Sequence, residues 1–227
     1  MNTKINTKRK RVKFASDNVT GACPEVLEAV IKANDGIVPP YGNDEISGVL
    51  QEKFSKIFEK DVIVYPTASG TASNALALSA ISPSFGNIYC HKFSHINVDE
   101  CGAPEFYTGG AKLVPLNGED GKITTEELKN SIGGFGIVHH TQPSIVSITQ
   151  ATETGEVYTL EQIKNISEIT HKHNLKMHMD GARFANALVS LDVSPAEMTW
   201  KSGIDILSFG ATKNGCMAAE AIIIFDK

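Results

Sequence analysis

Three clusters in the 227-residue sequence carry residue types that could do chemistry. The first is Thr67-Ala68-Ser69-Gly70-Thr71-Ala72-Ser73-Asn74, where an apolar run passes into a helical pattern through hydroxyl residues and a glycine. Free backbone N–H groups at a helix N-terminus, with Ser and Thr hydroxyls beside them, make a phosphate cradle; the same residues also make an ordinary Ser-capped helix. No Gly-Lys-Ser/Thr follows, so the segment is not a nucleotide P-loop. The second cluster, Lys176-Met177-His178-Met179-Asp180-Gly181-Ala182-Arg183, sets a carboxylate at the end of an apolar run. A buried charge is costly unless paired, so Asp180 needs Arg183, a helix start, a cationic ring nitrogen or a metal. The third runs from Ile204 to Gly215 and carries Lys213 in a Gly-containing loop. That lysine is either a solvated loop residue or, if partly buried, an amine nucleophile.

A phosphate cradle, an acid for a pyridinium nitrogen and a Schiff-base lysine are together the three holds for pyridoxal 5'-phosphate. For these residues to meet, the chain must bring three strand ends to one place. Short β-rich runs at 62–65, 87–90, 112–115, 145–149, 176–180, 204–209 and 221–225 supply the strands. Helical patterns fall at 24–34, 49–58, 72–81, 125–131 and 159–173, the last with capping-box spacing at Thr159 and Gln162. This alternation predicts an α/β fold, a three-layer sandwich around a mostly parallel sheet. In such sheets ligands collect beyond the carboxyl ends of the strands, where Ser69–Thr71, Asp180 and Lys213 are expected.

Composition narrows the function classes. Six of the 21 basic residues lie in the first 13 positions, leaving 15 against 26 acidic residues in the remainder, a net −11. An acidic body argues against nucleic-acid binding, and residues 1–13 are expected to form a disordered basic tail. No apolar run approaches the ~20 residues of a membrane span. Cys23, Cys90, Cys101 and Cys216 are widely spaced, which argues against a disulfide framework or a zinc cluster and for a reducing compartment.

Longer motifs carry a resemblance. The sequence resembles the low-specificity L-threonine aldolases of the threonine aldolase/β-eliminating lyase superfamily, which are fold-type I pyridoxal enzymes. The residues concerned include Ser16-Asp17-Asn18, Ala33-Asn34, Tyr41-Gly42, Ser69-Gly70-Thr71, Tyr89-Cys90-His91, the stretch from His95 to Gly110, His178 to Asn186 and Ser208 to Gly215. The resemblance implies retro-aldol cleavage of L-threonine or L-allo-threonine to glycine and acetaldehyde by a cytoplasmic homo-oligomer, a dimer or tetramer. It implies that Lys213, His95 and Asp180 are catalytic, with His95 stacked on the cofactor ring. Ser69, Gly70 and Thr71 would hold the phosphate, Arg183 would contact the ring oxygen or the substrate carboxylate, and Ser16 would bind that carboxylate. Without the resemblance, His95 reads as a surface or core histidine and Asp99-Glu100 as solvated charge.

Two departures stand out. Relatives place a second histidine in the loop after the strand at 145–149, where this chain has Glu153; His139 and His140 precede the strand and do not take that role. Relatives also continue for roughly a hundred residues into a small domain, so residues 14–227 are expected to be the cofactor-binding large domain alone. The alternatives are another fold-type I reaction, β-elimination or transamination, and a fragment that binds the cofactor without turnover. His95 in place of the aromatic residue usual in aminotransferases favours the aldolase.

Overall fold

The computed structural model describes residues 16–19 and 21–226. The basic tail 1–13 lies outside the described residues. In chain order the elements are α1 (Pro24–Ala33), α2 (Glu45–Gly48), α3 (Leu50–Ile57), β1 (Ile63–Thr67), α4 (Gly70–Ile81), β2 (Gly86–His91), α5 (His95–Val98) and α6 (Ala103–Tyr107). They continue with β3 (Lys112–Leu116), α7 (Thr125–Ser131), β4 (Gln142–Thr149), α8 (Leu160–Lys172), β5 (Lys176–Gly181), α9 (Phe184–Leu191), α10 (Pro195–Met198), β6 (Ile206–Gly210) and β7 (Glu220–Ile224). Three-residue 3-10 turns lie at Asp17–Val19, Trp200–Ser202 and Thr212–Asn214.

Each of the seven expected strands forms, and they make one sheet in the order β1-β7-β6-β5-β4-β2-β3. Every neighbouring pair is parallel except those involving β7, which runs antiparallel to both β1 and β6. Alternate residues of the strands face opposite layers. Val146, Met177, Met179, Leu207 and Ile223 join the large core with α3, α7, α8, α9 and α10, while Ile88, Ile145, Ile206 and Ile222 pack on the other face with Ala77 and Leu78 of α4. The result is the expected three-layer α/β sandwich.

Differences from the sequence reading have local causes. β1 runs through Pro66, which a proline permits because β1 is an edge strand and that residue owes no second ladder bond. β4 begins three residues early, at Gln142; Pro143 sits opposite Asn87 where the register shifts, so a bulge absorbs the missing N–H. α5 and α6 span four and five residues, too few to show a period. α9 does carry one, since Phe184, Ala187, Leu188 and Leu191 stand at i, i+3, i+4 and i+7. The capping box of Thr159 and Gln162 at the start of α8 is present as expected.

Beneath α4 the sheet carries a polar chain. His178 on β5 is fully buried, its Nδ1 2.8 Å from Ser147 Oγ on β4 and its Nε2 2.9 Å from Ser208 Oγ on β6. Burial pushes the imidazole pKa down to about 4, against an upward pull from Asp180. In the unfolded chain it returns to about 6.5. Between those values the unfolded chain holds the extra proton, so this contribution is full above about pH 6.5 and is lost as pH falls toward 4, by about 3 kcal/mol in total. Urea unfolding across that range will show the loss in the wild type and a much flatter profile in His178→Gln.

Candidate active site

The parallel sheet delivers its strand ends to one edge, and the chemistry-bearing residues gather there. β1 ends at Thr67 and turns into α4 through Ser69, whose extended backbone and hydroxyl cap the helix by accepting the Ala72 N–H at 3.2 Å. Gly70 and Thr71 line a cleft of about 250 Å³ together with Asn18, Asn74, His95, Glu100, Glu153, Asp180, Lys213 and Glu220. Because β7 runs antiparallel, its first residue, Glu220, reaches the same edge as the last residues of β5 and β6.

Asp180 is the penultimate residue of β5, with 3% of its surface exposed. Its Oδ1 accepts the Ala182 N–H at 3.0 Å and its Oδ2 accepts from Asn74 Nδ2 at 2.9 Å. It has no cationic partner among the described residues. Arg183 is therefore not its counter-ion, although one of the sequence alternatives paired them. Instead Arg183 Nε donates to Asp17 Oδ2 at 2.6 Å, and its Nη1 stands 3.9 Å from Glu153. Burial alone would raise the Asp17 carboxyl; the Arg183 hydrogen bond and charge outweigh it and hold the group below the usual range.

Lys213 lies in the 3-10 turn after β6, half-buried, with no hydrogen bond or ion pair among the described residues. Gly210 makes that placement possible. A Cβ there would stand 2.7 Å from Ala182 Cα and 3.0 Å from the Ala182 carbonyl oxygen, so only glycine lets the end of β6 press against the turn after Asp180. Glu220 faces the same space, its carboxyl raised mainly by burial and pulled back by hydrogen bonds to Thr212.

His95 begins α5 and sits across the cleft. Its Nδ1 is 2.7 Å from Glu100 Oε1, which also accepts from Asn74 Nδ2 at 2.8 Å. The Glu100 hydrogen bond raises the His95 pKa, opposed by burial and aided by the charges of Glu100, Asp180 and Glu153. Glu153 is itself raised by burial and by Asp180.

The structure thus brings together Ser69, Gly70, Thr71, His95, Asp180 and Lys213, with Arg183 at the rim beside Asp17 and Glu153. Ser16 is exposed, its hydroxyl accepting the Asn18 N–H, and it does not line the cleft. The reading of Asp99-Glu100 as solvated charge is half corrected: Asp99 is exposed, but Glu100 is 4% exposed. Asn74 has no role in the sequence reading; its signal is its position one turn after Gly70, on the same helix face. Among the described residues no group of His, Cys, Asp and Glu is arranged to hold a metal ion, and no helix is long and apolar enough to cross a membrane.

A family model for β-eliminating lyases matches residues 13–227. The chain belongs to the β-eliminating lyase family. Among its relatives in that family, a low specificity L-threonine aldolase from Pseudomonas sp. (strain NCIMB 10558) is 44% identical over 214 residues, which are 94% of this chain and 62% of that protein. One from Pseudomonas aeruginosa is 42% identical over the same shares. The chain thus spans about 62% of the length of these curated relatives. A threonine aldolase structure from Leishmania major superposes with a TM-score of 0.87 at 29% identity, covering 93% of this chain and 62% of that one. An archaeal alanine:glyoxylate aminotransferase superposes at 0.62 with 17% identity, over 89% of this chain and 51% of its own, and shares the β-eliminating lyase fold alone.

Asn74 is the one donor shared by two buried carboxylates. Asn74→Leu keeps the volume and removes both hydrogen bonds, so the unfolding free energy from urea titration at neutral pH will fall by about 2–4 kcal/mol.

Proposed function

We propose that the cleft holds pyridoxal 5'-phosphate and that the protein cleaves β-hydroxy amino acids such as L-threonine and L-allo-threonine to glycine and an aldehyde. The observation that carries this reading is Asp180: a carboxylate 3% exposed, hydrogen-bonded on both oxygens, yet without a cation among the described residues. It lines the same cleft as an amine, Lys213, and as N–H groups of the first turn of a twelve-residue helix. A cationic ring nitrogen suits the first, an aldehyde the second and a phosphate the third. The residues present therefore fit the cofactor.

Bound there, the cofactor supplies a conjugated ring that takes up the electron pair left on Cα when the Cα–Cβ bond breaks. The work of the protein follows from its own atoms. Gly70, Thr71 and Ser69 grip the phosphate through α4, where the helix dipole favours an anion. Asp180 would keep a proton on the ring nitrogen by its charge, and Lys213 would be the amine that holds the aldehyde. His95 would take the β-hydroxyl proton. Arg183, whose guanidinium already meets carboxylates in Asp17 and Glu153, would receive the substrate carboxylate at the rim, with Ser16, the residue before Asp17, as the second group proposed for it.

In this reading residues 14–227 form the cofactor-binding large domain, and the protein works in the cytoplasm, in keeping with four free cysteines. It assembles as a homo-oligomer, a dimer or tetramer. The support is the stretch 24–48, which exposes Leu27, Ile31, Ile37, Val38, Tyr41 and Ile46, an apolar surface that calls for a partner.

The test is aldehyde release from L-threonine and L-allo-threonine after adding the cofactor, followed with a coupled alcohol dehydrogenase. Lys213→Ala will lose the yellow absorbance of lysine-bound cofactor and at least ~10³-fold in rate. Pyruvate from serine or cysteine without any aldehyde would put the chemistry in β-elimination instead, and binding without turnover would leave a cofactor-holding protein only.

A further inference from the structure

We propose that Glu100 is a positioning residue that fixes His95 as a proton acceptor at Nε2, and that Asn74 ties this pair to Asp180. The proposal rests on the reading of His95 as the residue that takes the substrate's hydroxyl proton.

The Glu100 side chain is 0% exposed and has no lysine or arginine partner among the described residues. Burying a carboxylate so completely costs free energy, and the structure compensates only through His95 and Asn74. Both meet the same oxygen. Oε1 is 2.7 Å from His95 Nδ1 and 2.8 Å from Asn74 Nδ2, while Oε2 is buried with no partner. The Asn74 amide lies between two carboxylates, so its nitrogen is the end that donates to each. Oε1 already accepts from that amide, and an imidazole is the more basic partner by about two pKa units. The proton in the short contact therefore belongs to the imidazole. In the neutral ring this leaves Nε2 without a proton. Nε2 has no hydrogen-bond partner among the described residues, and His95 lines the cleft.

The consequence is a defined proton step. The hydroxyl proton of the substrate moves to Nε2, the Nδ1–H stays on the ring, and Glu100 remains a carboxylate that stabilises the imidazolium so formed. This is how a buried acid orients a catalytic histidine without itself being protonated. Of the other charged groups around His95, Asp180 from β5 and Glu153 from the loop after β4 favour the imidazolium, and Lys213 lines the same cleft with the opposite charge. Glu100 is the one that touches the ring. Asn74, donating to Glu100 and Asp180 together, holds the acid beneath the histidine and the acid for the ring nitrogen at a fixed spacing.

The test begins with the wild-type chain and no cofactor. Nitrogen-15 NMR of labelled histidines, with His95 assigned by its loss in His95→Asn, should show the Nδ1–H tautomer once the ring is neutral. In Glu100→Gln the His95 titration should move down by about one pH unit or more. In the cofactor-loaded protein the acidic limb of kcat/KM should move down with it. There kcat should fall about 10- to 100-fold, with KM and cofactor affinity held within about threefold, and Glu100→Asp should recover part of the loss. A merely structural role would move stability and leave the tautomer and the limb where they were. An Nε2–H tautomer in the wild type overturns the proposal even if the variant does not fold, as does an unmoved titration in a folded Glu100→Gln. The expected tautomer and titration in a protein that releases no aldehyde would uphold the pairing and sink the aldolase reading instead.

Discussion

A carboxylate buried at the end of a central strand is the constraint to which the surrounding structure answers. Asp180 cannot be left bare in a low-dielectric interior, and no cation comes from the described residues to neutralise it. The turn after β5 gives it one backbone N–H, and α4 gives it the Asn74 amide. To place that amide, the first turn of α4 must lie over the edge of β5, which fixes where Ser69, Gly70 and Thr71 point. The same amide reaches Glu100 and through it His95. One electrostatic obligation thus ties together a helix start, a buried acid and an imidazole from around residues 70, 95 and 180.

The acidity of the site is offset at its rim. Asp17, Glu153 and Arg183 form a small network in which the guanidinium lies between two carboxylates, so that the pocket interior keeps Lys213 as its nearest uncommitted cation. A frame shared with an aminotransferase at 17% identity shows that the sheet and helices alone do not choose a reaction. His95 and Glu100 stand on a short helix and the loop beyond it rather than on the strands.

The sheet was legible because its strands are apolar, short and bounded by turn residues, and because Asp180 and Lys213 each follow such a run. The start of α4 was legible because a Ser-Gly-Thr between strand and helix is a capping sequence, and Ser69 does cap it. What escaped were groups whose significance depends on long-range contact. Glu100 sits beside Asp99 in a polar stretch, and nothing local distinguishes the exposed acid from the buried one; only the fold brings Asn74 to it from 26 positions away. The sequence offers Asp180, three residues off, as one of several partners for Arg183, whereas Asp17, which it meets, is separated by 166 positions. The short helices α5 and α6 escaped for a different reason, being held by their surroundings more than by any period of their own.

Both outer strands of the sheet contain a proline, Pro66 in β1 and Pro115 in β3. A proline offers no N–H to an approaching chain, so each rim presents an interrupted ladder. Growth of the sheet by adding a strand from another molecule is thereby discouraged on both sides. The sheet therefore ends at its rims by composition, each edge carrying its own stop within the strand itself.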